Sequence, residues 1–249
     1  MRTADSNRYL GEFLKQVKDG LDQFNKVDAI LDENSVQVGL QKSVAEDAAF
    51  RLGALWEVFQ GRWHVAAISR DPVKFVSETR SRLEDRLKDE IRSIVLAINP
   101  EALTVPNRPK MAQIEAVLDP NGYNLTFIDA EAWMKSSSRY HSSTYQNLVK
   151  GIVGDAESAS LLDLLKKLRN LLAHGSTGSK VAFNRACRAR PTGGKEGLTG
   201  VSNTSLMRDQ RDVRDVGVYL RARVGPDNER RVAILHRRVM DVAGKLRLK

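Results

Sequence analysis

Cysteine and long apolar runs are the two features that this sequence most clearly lacks. The 249 residues include a single cysteine, Cys187, so no disulfide can form within the chain. No apolar stretch approaches the roughly 20 residues that span a bilayer. The N-terminal residues 1–5 also lack the apolar run of a secretion signal. We therefore expect a cytoplasmic protein that does not associate with a membrane.

Motifs for phosphate loops and metal centres are absent as well. The chain has no glycine-rich phosphate-binding loop, no cluster of Cys and His with metal-ligand spacing, and no internal repeat. With 41% apolar and 29% charged residues, its composition is that of an ordinary globular protein. The sequence therefore predicts neither a cofactor nor a metal ion.

The net charge of +9 is concentrated at one end of the chain. Residues 175–249 carry 17 Lys and Arg against 7 Asp and Glu, a balance of +10, whereas residues 1–174 carry 23 against 24. Such an excess indicates either a surface that binds RNA through its phosphates or charges that only solubilise the protein. Phe183 and Tyr219 are the only aromatic residues in this region, so stacking on bases would be limited.

Apolar residues at three- and four-residue spacing predict an all-α protein. They indicate long amphipathic helices over residues 7–32, from Val44 to near Asp71 and Pro72, and over residues 76–98. Three helices of this length with similar apolar stripes favour an up-and-down bundle.

Prolines interrupt the periodicity over residues 99–127, which predicts loops around one short helix at residues 112–118. Further helices are predicted from Asp129 onward, over 142–153, over 156–174 and over 232–246.

The chain divides into a helical bundle, residues 1–174, and a basic C-terminal region, residues 175–249. Glycine, serine and arginine dominate residues 175–205, which predicts a flexible segment outside the core. Residues 216–224 fit either a short strand or a helical turn, and we expect the final helix to pack on the bundle.

Arg169, Asn170 and His174 form the most informative pattern in the sequence. They lie at the end of a leucine-striped helix, and Gly175 follows where a left-handed residue commonly ends a helix. Asn170 and His174 share one face, whereas Arg169 is offset by roughly 140° and needs its long side chain to reach it. A permanent cation beside a histidine, which can both accept and donate a proton, suits phosphodiester binding and proton transfer.

The spacing of arginine and histidine is a weak pattern by itself. It occurs again at Arg231 and His236, without the asparagine or the glycine, and we interpret this second match as coincidence. A helix-terminal histidine that only satisfies the last carbonyls is the structural alternative for His174.

The motif resembles the signature of the HEPN superfamily (higher eukaryotes and prokaryotes nucleotide-binding). Residues 168–175, Leu-Arg-Asn-Leu-Leu-Ala-His-Gly, are similar to its Arg-polar-x-x-x-His pattern near the end of a bundle helix. The prokaryotic ribonuclease-like subfamily is the most similar. Its earlier-helix pattern is matched by residues 55–59, Leu-Trp-Glu-Val-Phe, and its turn by residues 70–72, Arg-Asp-Pro. The resemblance covers roughly residues 40–180.

The resemblance implies a metal-independent endoribonuclease that leaves 2′,3′-cyclic phosphate and 5′-hydroxyl ends. His174 would be general base on a ribose 2′-hydroxyl or share acid–base work between two chains. Arg169 would bind the scissile phosphate, and Asn170 would orient the phosphate or the histidine. HEPN-like proteins pair two motif helices across a homodimer, for which the leucine face near Leu168 and Leu172 is the expected interface. The family also includes toxins and anti-phage defence effectors whose activity is inhibited by an antitoxin or another regulatory partner, and the resemblance extends to such a role here.

Other side chains are candidates around this motif. Glu57 is expected either to contact the motif helix and orient Arg169, or to lie on the surface, since it falls just off its apolar stripe. His64 and His141 are interpreted as interface or surface residues. The candidate RNA contacts, for which solvated charge is the alternative, are Lys166, Lys167, Arg185, Arg188 and Arg190.

A non-catalytic HEPN-like module that binds a partner protein, a nucleotide or RNA is the alternative function. The two functions differ in the surroundings of Arg169 and His174. Joint exposure in a cleft favours catalysis, whereas local contacts that occupy both side chains favour a binding module.

Overall fold

Helices provide nearly all the regular structure, as the apolar spacing predicts for an all-α protein. The computed structural model describes residues 5–33, 38–86, 89–98, 104–123, 125–188, 197–198, 206–207 and 212–248. The helices are α1 (Ser6–Glu33), α2 (Val38–Arg70), α3 (Val73–Arg86), α4 (Asp89–Ile98), α5 (Met111–Leu118), α6 (Ala130–Tyr140), α7 (Ser143–Val153), α8 (Ala156–His174), α9 (Thr177–Cys187), α10 (Val216–Arg221) and α11 (Arg231–Gly244). Strands β1 (Arg223–Val224) and β2 (Glu229–Arg230) form an antiparallel hairpin before α11.

α1 and α2 form a long antiparallel pair. The Phe13 ring stacks on Phe59 with 4.3 Å between centroids, and Gln41 donates a hydrogen bond to Asp32 (2.9 Å) towards the other end. Residue numbers therefore rise along one helix as they fall along the other. Residues 63–68 are all buried in succession, so other elements surround the C-terminal half of α2.

The structure differs from the prediction in its third helix and in the way the helices pack. Residues 76–98 belong to two helices, α3 and α4, and residues 87–88 lie outside the described part of the chain. α3 packs against α6, while the apolar stripe of α4 is exposed at Ile91, Ile94 and Ile98. The partners of the α1–α2 pair are instead α8 and α10, which pack on α2, and α11, which packs on α1, α2 and α8. The packing of the final helix is thus confirmed.

The basic region after Gly175 contains a packed helix where the composition predicts a flexible segment. Ser176 begins α9 by accepting a hydrogen bond from the Ser179 backbone N–H (3.1 Å), and Phe183 is fully buried against the Tyr219 ring. The prediction is therefore wrong for residues 177–187, because a few apolar residues on one face are enough to bury a short helix. Arg190 and the rest of residues 189–205, apart from 197–198, lie outside the described residues.

Ion pairs join the C-terminal hairpin to the end of α1. Arg230 is almost buried and contacts Asp28 (2.9 Å) and Asp32 (2.6 Å), and Arg223 reaches Asp32 as well (2.6 Å). The hydrogen bond from Arg223 is the main reason that the pKa of Asp32 is lowered. Residues 216–224 resolve as the short helix α10 followed by β1. Among the described helices, none combines the length and the apolar character needed to cross a membrane.

Candidate active site

α8 carries the motif, and its bounds agree with the predicted residues 156–174. Asp155 begins the helix by accepting a hydrogen bond from the Glu157 backbone N–H (3.3 Å), and the stripe of leucines faces the core. Gly175 has φ 60°, and its N–H donates to the Leu171 carbonyl (2.8 Å). The helix therefore ends as predicted, with a left-handed glycine directly after His174.

Arg169 faces α2 at a point where the two helices approach closely. A β-carbon built on Gly53 would lie 2.6 Å from the Arg169 β-carbon, a distance that real side chains do not tolerate. The guanidinium carbon of Arg169 lies 6.0 Å from the centre of the Phe50 ring. The absence of a side chain at Gly53 therefore allows the motif helix to reach this position.

Glu57 links the motif helix to α2. Its Oε1 lies 2.9 Å from Lys166 Nζ and its Oε2 lies 3.4 Å from Arg169 Nε. The Glu57 side chain is only 13% exposed, so solvent screens these ion pairs weakly. Of the two expectations for Glu57, contact with the motif helix is confirmed.

Asn170 contacts Arg169, but His174 stands apart from both. Arg169 Nη1 donates to Asn170 Oδ1 (3.2 Å). The His174 side chain is exposed, and no described residue forms a hydrogen bond or ion pair with it. The structure therefore brings two of the three motif residues into contact and leaves the histidine open to solvent one helical turn away.

The expected dimer interface is occupied within the chain. Leu168 is 1% exposed and belongs to the chain's own core, and Leu172 packs against that core. The leucine face is therefore not available to a second copy. The exposed residues around the motif are Ala173, His174 and Gly175.

The candidate RNA contacts occupy different environments. Lys166 is paired with Glu57, Lys167 is half-buried, and Arg185 is exposed. Arg188 is exposed and contacts Asp212 (2.5 Å), while Arg190 lies outside the described residues.

Part of the basic excess after residue 174 is balanced by carboxylates from the rest of the chain. Besides the hairpin ion pairs with α1, Lys245 contacts Asp155 (2.6 Å). The hydrogen bond from Lys245 is the main cause of a lowered pKa at Asp155. Internal pairing is thus a third reason for the uneven charge, beside polyanion binding and solvation.

His64 and His141 are buried, so their interpretation as interface or surface residues is wrong. Their ring centroids lie 4.2 Å apart; Ser137 Oγ lies 2.8 Å from His141 Nδ1, and Ser136 Oγ lies 3.0 Å from His64 Nε2. Burial lowers the pKa of His141 to about 4 and that of His64 well below its ordinary value. Both rings are therefore neutral structural groups that fill space between α2 and α6.

Gly53 is the residue of this site that sequence reasoning missed. A glycine inside a long apolar helix costs about 1 kcal/mol relative to alanine, so its presence signals a close approach by another backbone. That signal indicates a contact but does not say which helix makes it.

The described residues contain no group of three or more His, Cys, Asp or Glu that could hold a metal ion. Comparisons with protein-family models, with curated proteins and with solved structures found no match to this chain. The HEPN resemblance therefore rests on the motif residues themselves.

Proposed function

We propose that the chain is a metal-independent endoribonuclease that acts at the C-terminal end of α8. The way in which Arg169 is held is the main support. Its Nη1 donates a hydrogen bond to Asn170 Oδ1, and Glu57 Oε2 lies 3.4 Å from its Nε, an ion-pair contact without a hydrogen bond. The Arg169 side chain is still 29% exposed, so a guanidinium positioned by Asn170 and Glu57 can contact a phosphate oxygen.

In this proposal His174 transfers the proton of the reaction. Its imidazole accepts the proton of a ribose 2′-hydroxyl while the 2′-oxygen attacks phosphorus, and the bond from phosphorus to the 5′-oxygen breaks. The leaving 5′-oxygen takes a proton from an acid. Arg169 stabilises the negative charge that develops on the non-bridging oxygens, and the products carry 2′,3′-cyclic phosphate and 5′-hydroxyl ends.

A second copy of the chain would supply the acid. His64, His141 and His236 are each at most 3% exposed, so His174 is the one accessible histidine. Two motif helices that face each other across a homodimer would place an acid and a base on opposite sides of the phosphate. The contact would involve the exposed end of α8 rather than its leucine face.

Incubation of the purified chain with mixed RNAs in excess EDTA, followed by end-group analysis, tests the reaction. His174→Ala and Arg169→Ala should each lower the cleavage rate by on the order of 10²- to 10⁴-fold while circular dichroism stays unchanged. Arg8→Ala is the matched control, because Arg8 is exposed and pairs with Glu12 on α1. Cleavage by His174→Ala at the wild-type rate would refute the assignment.

Mixing the two inactive variants tests the shared site. A heterodimer of His174→Ala and Arg169→Ala should regain cleavage if each site takes groups from both chains. Sedimentation that shows only monomer at micromolar concentration, with cleavage intact, would exclude the homodimer.

The pairing of Arg169 with Glu57 also favours a second candidate, a non-catalytic module that binds RNA, a nucleotide or a partner protein. An arginine neutralised within its own chain serves the packing of α8 on α2 without any substrate. Binding of RNA without cleavage, unchanged in His174→Ala, would support this candidate.

A further inference from the structure

An open groove of about 910 Å³ runs along the α1–α2 pair, and Phe50, which also lies against Arg169, is one of its lining residues. Its buried floor includes Val17, Phe24 and Leu52, and Val58 lies exposed at its edge. Charged side chains also line the groove: Asp19, Asp47, Arg51 and Arg62. The volume is in the range of pockets that hold small molecules. Such pockets combine mainly apolar walls with a few polar groups that orient the ligand.

One polar group opens onto this groove from α11. His236 is 3% exposed and lines the groove between the two long helices. Its Nδ1 lies 2.8 Å from the Val232 carbonyl oxygen. Because a carbonyl can only accept a hydrogen bond, Nδ1 carries the proton of the neutral ring and Nε2 is left with a lone pair.

This lone pair has no partner within the chain. No described residue forms a hydrogen bond with Nε2. Burial lowers the pKa of His236, so at neutral pH the ring is uncharged and Nε2 accepts a hydrogen bond. A buried acceptor gains most from a ligand that brings a donor to it.

We propose that the groove binds an apolar small molecule that carries a hydroxyl group, and that this hydroxyl donates a hydrogen bond to His236 Nε2. The walls then recognise the hydrocarbon, and the histidine distinguishes an alcohol or phenol from a hydrocarbon or ether of similar shape. Binding of such a ligand does not require ribonuclease activity. It also gives a role to the histidine whose spacing to Arg231 is coincidental.

A matched pair of fluorescent ligands tests the proposal on the full chain. 2-Naphthol has the hydroxyl donor, and 2-methoxynaphthalene keeps the rings and the oxygen but lacks the donor. Fluorescence titration should show tighter binding of 2-naphthol, by on the order of 5-fold, because one neutral hydrogen bond contributes that much. His236→Phe should remove the preference by weakening 2-naphthol alone.

A second variant keeps the test informative if His236→Phe does not fold. Val58→Trp at the exposed edge fills the groove without a change in the floor, and should weaken both ligands together. Equal binding of the two ligands to the wild-type chain would overturn the role of His236. If neither ligand binds and Val58→Trp disrupts a dimer, the groove holds a second copy of the chain, and the proposal is wrong.

Discussion

The β-carbon of Arg169 occupies the space that a side chain at Gly53 would need. The two positions approach to 2.6 Å when a β-carbon is built on the glycine, so α8 contacts α2 nearly backbone to backbone at this level. Glu57 lies one turn further along α2 and contacts both Lys166 and Arg169. The close approach and the ion pairs together set where the motif arginine lies.

Gly53→Ala should therefore destabilise the protein. The added methyl group pushes α8 from α2, and overpacking of this kind typically costs about 1–3 kcal/mol in the free energy of unfolding. Gly11→Ala on α1 is the matched control, because nothing lies within 4 Å of that position. It should stabilise the helix by roughly 0.5–1 kcal/mol. Urea denaturation of both variants measures the difference, and a gain in stability for Gly53→Ala would contradict the packing described.

The contact between Glu57 and Arg169 should be energetically coupled. In a double-mutant cycle with Glu57→Gln and Arg169→Met, we expect a coupling of about 0.5–3 kcal/mol, because both side chains are largely shielded from solvent. The pair Glu131 and Lys135 on α6 is the control, since both are at least 67% exposed. Its coupling should be only about 0.3–0.5 kcal/mol. Equal coupling energies for the two pairs would show that the contact between Glu57 and Arg169 contributes no more than an exposed ion pair.

Acid should destabilise the fold through His64 and His141. Burial lowers the pKa of both rings below the ordinary 6.5, so the unfolded chain binds protons that the folded chain does not. The free energy of unfolding should fall as the pH decreases from 6.5 through about 4, the folded-state pKa of His141. Above pH 6.5 these two histidines should no longer make the free energy of unfolding depend on pH.

His141→Gln should make this acid dependence shallower, because one of the three buried histidine rings with a lowered pKa is removed. His174→Gln, a change at an exposed position, keeps all three buried rings and therefore keeps the fall in stability. Thermal unfolding followed by circular dichroism between pH 4 and pH 8 distinguishes the variants. An unchanged slope in His141→Gln would mean that other groups cause the acid dependence.

RNA binding through the basic C-terminal region should depend on salt. Arg185 is exposed on α9 and Arg188 directly after it, and replacement of both with Ala should make the log–log salt slope shallower by up to roughly 1.4, at about 0.7 for each lost phosphate contact. Lys18 and Lys26, which are exposed on α1, provide the control double variant. If both double variants bind RNA with the wild-type slope, α9 does not contact the phosphates.

The sequence by itself determined the all-α class and the approximate positions of most of the helices. The spacing of leucines and Gly175 at the end predict α8 to the residue, because these signals act over one or two turns of the same helix. The motif at its end is visible for the same reason. The final helix, α11, is predicted within two residues of its bounds.

Only the tertiary structure decided which faces meet. It buries Phe183 in a segment that composition predicts to be flexible, exposes the stripe of α4, and encloses His64 and His141. It also places Asp28 against Arg230, 202 residues apart, so that part of the basic excess is neutralised within the fold. Such contacts depend on how distant helices pack, and local periodicity carries no information about which partner covers an apolar or charged face.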